Sequence, residues 1–193
     1  MVGKNSLKLY LVVSLGLGLV LTGCTRTPLY IDKGFLEKPI DTVTLLPVVD
    51  IRKDKTAATI NAETDVRKPI EKLFAKKGYA VRIADSFTDG AQPVPDAIVE
   101  MDVSELAKLG PTDSQNLFIF YLEDLSTSYV VMQKTSKIEA SAMIVDKKNH
   151  RYLWKDKCVA SVGKWGLISG LLPIQGLAVD QCLSTISRSI PKR

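Results

Sequence analysis

Histidine is nearly missing: His150 is the only one in 193 residues. A histidine-based metal cluster has nothing to be built from, and a single imidazole remains for acid–base work. That imidazole lies in the polar stretch DKKNH, whose composition reads as a turn, so a solvated turn residue is its expected role. Cysteine is scarce as well, with three residues and no CxxC spacing. There is no GxGxxG, no GxxxxGK[ST] and no GxSxG; GLISG, residues 166–170, keeps the glycines of the last pattern but has Ile168 where the nucleophile belongs. Aromatic residues make up only 7% of the chain and are not interleaved with basic ones, which argues against a nucleic-acid partner. Carboxylates can be paired on paper, as with Glu100 and Asp102, but alternation along a strand would place both on an ordinary polar face. Asp50 and Arg52 follow an apolar strand at its carboxyl end, where α/β sheets place ligands. One acid and one base define no reaction, and a local ion pair is the expectation. No catalytic residue, metal or cofactor is expected.

What the chain does have begins at its amino terminus. Lys4 and Lys8 precede an uncharged run from Leu9 to Leu21. As a helix this run would span about 20 Å, short of the roughly 30 Å hydrocarbon core of a bilayer. Positive charge, a short apolar core and small residues in that order predict a signal peptide over residues 1–23. Leu21-Thr22-Gly23-Cys24 resembles the lipobox of bacterial lipoproteins. That resemblance implies cleavage before Cys24 and acylation of its thiol and new amino terminus, so covalent lipid is the only prosthetic group expected. Several acyl chains anchor stably where one does not. Thr25 stands where inner-membrane lipoproteins of this kind commonly carry Asp. The expected location is therefore the periplasmic face of the outer membrane, with outer-membrane lipid as a partner.

Cleavage there leaves 170 residues, enough for one domain with a real core. Without Lys4 and Lys8, 24 basic side chains face 21 acidic ones, a net charge near +3. Cys158 and Cys182 remain. In the oxidising periplasm they can pair, or they can be two small buried apolar residues.

Residues 24–41 carry Pro28, Gly34 and Pro39 and no clean period, and read as a lipidated tether. Tyr30, Ile31, Phe35 and Leu36 favour partial docking. A single domain is expected over 42–193. TVTLLPVV, 42–49, is a strand buried on both faces, with Pro47 at an edge or bulge. Val66, Ile70, Leu73 and Phe74 share one helical face that ends at Gly78, with Pro69 in the first turn or at a kink. YAVRIA, 79–84, is the next strand, which completes a βαβ unit. DAIVEMDV alternates and predicts a third strand. LFIFYL, 117–122, is ambiguous among strand, docked segment and contact surface. A strand from Tyr129 to Asp146 turns at DKKNH into RYLWKDKCVASV, a long antiparallel hairpin. Val179, Cys182, Leu183, Ile186 and Ile190 keep helical spacing up to Pro191. The predicted class is α/β (α+β): a mixed sheet with a βαβ unit, a long antiparallel hairpin and a C-terminal helix packed on the sheet.

The order VTLLPVVDIR, FAKKGYAVRI, PDAIVEMDV and a hairpin with LW in its second strand resembles small periplasmic lipoproteins of the TolB amino-terminal and CsgG type. The resemblance spans residues 42–190. It implies a non-enzymatic part of an envelope assembly, such as an export channel, a polysaccharide secretion collar or an activator of cell-wall synthases. Envelope protein partners, including further copies of the chain, follow from it. Two apolar segments carry the interaction reading: Phe118 and Phe120 in LFIFYL, and Trp165, Leu167, Leu171 and Leu172 in KWGLISGLLPI. Either segment can instead be core. The alternative function is a carrier of lipid or another small apolar ligand, which needs an enclosed apolar cavity. A glycan hydrolase, needing two carboxylates across a cleft, ranks last.

Overall fold

The computed structural model describes residues 27–55, 60–88, 93–130, 133–165 and 174–193. The expected leader, residues 1–23, and Cys24 lie outside these residues. In chain order the elements are β1 (Tyr30–Ile31), α1 (Lys33–Glu37), β2 (Thr42–Leu45), β3 (Val49–Asp50), a π-helical stretch (Ala62–Arg67) running into α2 (Lys68–Lys76), β4 (Ala80–Ile83), α3 (Pro95–Glu100), α4 (Val103–Leu106), β5 (Asn116–Val130), β6 (Gln133–Asp146), β7 (Arg151–Trp165) and α5 (Ile174–Ser189). The sheet order is β1-β7-β6-β5-β2-β4, and β3 also pairs with β5. β5, β6 and β7 form an antiparallel meander, while β2 is parallel to both β4 and β5. The architecture is the predicted mixed sheet, with its βαβ unit, long hairpin and packed C-terminal helix.

LFIFYL opens β5, and its lack of polar alternates has a structural reason: both of its faces are covered. Phe118, Phe120 and Leu122 join a core with Phe74 and Ile70 of α2, Trp154 of β7 and Val179 and Ile186 of α5. Leu117, Ile119 and Tyr121 point the other way, into a second core with Ile98 of α3, Leu106 of α4 and Leu109. Within the first core, Phe74 meets Phe118 edge-on at 4.9 Å between centroids, and Phe118 stacks on Trp154 at 6.4 Å.

Pro47 sits where the expected strand 42–49 breaks. Leu45 lies opposite Phe118 and Val49 opposite Tyr121, so four residues advance on one side while three advance on the other. The extra residue is a bulge at the position that cannot donate to the ladder. Pro69 is the second residue of α2, at the junction with the π-helical stretch that precedes it. Gly78 follows that helix at φ +93°, a left-handed position that suits glycine.

Two expectations need correction. DAIVEMDV is not a strand. Pro95 starts α3, and Asp102 starts α4 through a capping box: its carboxylate accepts from the Glu105 N–H at 2.9 Å, and the Glu105 carboxylate accepts from the Asp102 N–H at 3.0 Å. Asp followed three residues later by Glu is a helix-start signature. With both ends of the segment committed to helix, its alternation is a coincidence of short turns. The strand expected from Tyr129 to Asp146 is also divided: Tyr129 and Val130 end β5, and β6 starts at Gln133. Within the expected tether, the partial docking is present. Tyr30 and Ile31 pair with Lys155 and Trp154, Asp32 caps α1, and Phe35 is buried in the first core.

The carboxyl terminus is held as well. Burial pushes the Tyr79 phenol up to about 12, so it stays a donor, and it donates to the Pro191 carbonyl at 3.0 Å. The Arg193 N–H donates to the Lys77 carbonyl at 3.1 Å. Cys158 on β7 and Cys182 on α5 form a disulfide, with Cα atoms 5.6 Å apart. It closes a loop that includes the apolar stretch before α5. The double variant Cys158→Ala/Cys182→Ala should lose about 3 kcal/mol of unfolding free energy, the chain-entropy value for a loop of this length. Urea unfolding measures it; an unchanged midpoint would mean the crosslink contributes nothing to the native protein.

Candidate interaction surface

The three long strands outrun the layers that cover them. On the outer edge of β5, pairing with β3 ends at Leu122. On the outer edge of β7, pairing with β1 ends at Lys155. Beyond those points β5, β6 and β7 continue as a three-stranded ribbon whose register runs on to Val130, Gln133 and Trp165. No further strand pairs with either edge among the described residues.

Register decides which side chains meet there. Val130, Gln133 and Trp165 form one transverse row, and Tyr129, Lys134 and Lys164 form the next. Side chains of neighbouring rows point to opposite faces of the ribbon. Tyr129 is 63% exposed, Val130 65% and Trp165 73%, so both faces of the tip carry large apolar groups in water. Lys134 places its ammonium 5.4 Å from the Tyr129 ring centroid, a cation–π contact. Further from the tip, one face is closed by α5: Leu125, Ile138 and Ala160 are buried, and Gln175 donates to the Thr127 hydroxyl at 3.0 Å.

The other face is polar and carries a charge ladder. Lys157 bridges Glu123 at 2.8 Å and Glu139 at 2.7 Å, and Ser141 donates to Glu123. Glu123 and Glu139 together hold the Lys157 ammonium above its usual range, and Lys157 in turn holds the Glu139 carboxyl below its own. Pairs this exposed contribute little stability, but they keep the ribbon's register and its solubility.

The residues of the interaction reading therefore separate. Phe118 and Phe120 are 3% and 2% exposed and belong to the core, which corrects their assignment to a contact surface. Their burial follows from β5 lying mid-sheet beneath a helical layer on each side. Trp165 is at the surface. Leu167, Leu171 and Leu172 lie outside the described residues. Tyr129, Val130 and Lys134 were not singled out from the sequence, because an unbroken strand was expected from Tyr129 and the strand end at Val130 went unread.

No catalytic arrangement emerges among the described residues. Glu100 ends α3 while Asp102 caps α4. His150 occupies an exposed left-handed turn position at φ +49°. Among the described residues, no three His, Cys, Asp or Glu side chains cluster as a metal site would require. Asp50 and Arg52 form a bidentate local pair, Nε to Oδ1 at 2.8 Å and Nη2 to Oδ2 at 2.6 Å. Burial alone would raise the Asp50 carboxyl, but the Arg52 hydrogen bonds outweigh it and hold the group below 3.8. The clefts described are open grooves lined in part by charged groups, as in the 640 Å³ groove of Lys53, Asp54, Glu123 and Asp124, not enclosed apolar cavities.

No family model and no curated protein matches the chain. Solved structures do. The fold is similar to that of lipoprotein GNA1162 from Neisseria meningitidis, at 17% identity, TM-score 0.52, and coverage of 78% of this chain and 100% of that one. A minor lipoprotein from Acinetobacter baumannii matches at 9% identity, TM-score 0.41, over 80% and 97% of the two chains. The PelC dodecamer from Paraburkholderia phytofirmans matches at 12%, TM-score 0.47, over 79% and 89%. The chain thus has a fold found in a bacterial lipoprotein.

Two outcomes follow. Phe118→Ala should cost about 3–5 kcal/mol in urea unfolding, as for a fully buried aromatic; a surface role would leave stability unchanged. Asp50→Asn should cost about 3 kcal/mol by leaving Arg52 buried and uncompensated. Because folding lowers the Asp50 pKa, its stabilisation is present above about pH 4 and lost as pH falls through the lower folded value. The variant's urea midpoint should therefore lose part of the wild type's acid dependence.

Proposed function

We propose that the protein is a non-enzymatic lipoprotein, anchored through Cys24 to the periplasmic face of the outer membrane. It serves as an accessory or structural component of a cell-envelope assembly for export, secretion or cell-wall work. The observation that carries the reading is the ribbon tip. A monomer that buries two full cores still exposes Tyr129, Val130 and Trp165 together at the end of a paired, open-edged ribbon. Clustered apolar groups at a sheet edge are a contact waiting for a partner. The lipobox at residues 21–24 and the fold likeness to a Neisseria lipoprotein support the envelope setting. The TolB and CsgG type of domain is part of the proposal: β2, α2 and β4, then the meander and carboxyl helix, keep that order, while DAIVEMDV supplies helices. Partners are envelope proteins, a further copy of this chain among them, together with outer-membrane lipid.

The deciding measurement is the intact mass of the protein extracted from outer membrane after crosslinking in cells. Acyl mass on Cys24 and either discrete multiples or a crosslinked envelope protein are expected. An unlipidated protein, or a monomer with no partner, would overturn the proposal. The double variant Val130→Ser/Trp165→Ser should keep the wild-type melting temperature and reduce crosslinked product roughly tenfold, the size of a lost aromatic anchor.

A further inference from the structure

A second surface has the opposite character. Between α2 and α5 lies a cleft of about 440 Å³, lined by Lys72 and Lys76 from α2, by Lys77 that caps it and by Lys192 from the carboxyl-terminal tail. Ser184 and Ser187 of α5 offer hydroxyls along its far wall, and Leu73 and Leu183 contribute apolar surface. Asp180 is its one carboxylate. None of the four lysines forms an ion pair among the described residues. Lys77 donates to the Ile190 carbonyl, which fixes it in place beside the tail. Burial and the neighbouring Lys192 charge both lower the Lys77 pKa, so the cleft holds like charges against one another. Such a site gains when an anion enters it.

We propose that this cleft binds the phosphate of an anionic phospholipid headgroup. Lysines act as point charges that suit a phosphate, where arginine forks would suit a planar carboxylate, and the cleft has no arginine. Serine hydroxyls add neutral donors, and the apolar side chains of Leu73 and Leu183 match the start of a lipid's acyl chains. The volume falls within the range of small-ligand sites. The choice of lipid over other phosphates rests on the anchor reading above. Six residues lead from Cys24 to Tyr30, an extended reach of about 20 Å. A domain held that close meets phospholipid as its most concentrated anion.

The test uses the full lipidated chain in nanodiscs of phosphatidylcholine with or without phosphatidylglycerol. Lysine acetylation is followed residue by residue by mass spectrometry. With phosphatidylglycerol, Lys72, Lys76, Lys77 and Lys192 should label more slowly by about fivefold or more, as ion-paired ammonium groups do, while exposed Lys38 and Lys148 keep their rates. In the variant Lys72→Gln/Lys76→Gln, which changes only exposed side chains, protection of Lys77 and Lys192 should vanish. Equal labelling in both discs overturns the proposal. So does equal protection by inorganic phosphate in phosphatidylcholine discs, or protection by polyglutamate alone, which would make the cleft an acidic-protein site. A failed anchor reads out separately, as protein that does not float with the discs.

Discussion

Everything in this molecule hangs on burying β5 from two sides. Residues 117–122 present phenylalanines and Leu122 to one layer and leucine, isoleucine and tyrosine to the other. A strand without polar alternates is stable only between two covers. β2 and β3 supply parallel neighbours on one edge, and β6 an antiparallel one on the other. α2 and α5 then close the first face, and α3 and α4 the second. The bulge at Pro47 lets the chain follow β5 past a residue that cannot donate, so the parallel pairing resumes at Val49 instead of ending.

That arrangement also explains why the ribbon is bare. α3 and α4 are six and four residues long, too short to cover the far half of the meander. Only α5 follows the strands outward, tied to them by the disulfide and by Gln175 on Thr127. Past α5 the strands still pair with one another but with nothing else described. The tip and the α2–α5 cleft thus differ in physics: one gains by excluding water from apolar groups, the other by neutralising crowded ammonium charges.

Much of the fold was legible in the residues. The helical stripe of Val66, Ile70 and Phe74, Gly78 after it, the alternation of Ile138, Ala140, Ala142 and Ile144, and the carboxyl-terminal stripe from Val179 to Ile190 each carry a period that one conformation alone satisfies. DAIVEMDV misled because short helices offer too few turns for a 3.6 period to stand out from alternation. The capping pair Asp102 and Glu105 was the better guide. The basic cleft was not legible, since Lys72 and Lys192 are 120 positions apart and meet only because the tail folds back onto α2.

By itself the sequence determined the expectation of a leader and an anchor at Cys24, the absence of the familiar catalytic motifs and the order of most of the main elements, because motif, composition and period are local properties. The tertiary structure decided that Phe118 and Phe120 are core while Tyr129, Val130 and Trp165 are surface. It did so because burial belongs to the layer that packs against a strand, and an apolar run reads the same whether that layer reaches it or stops short.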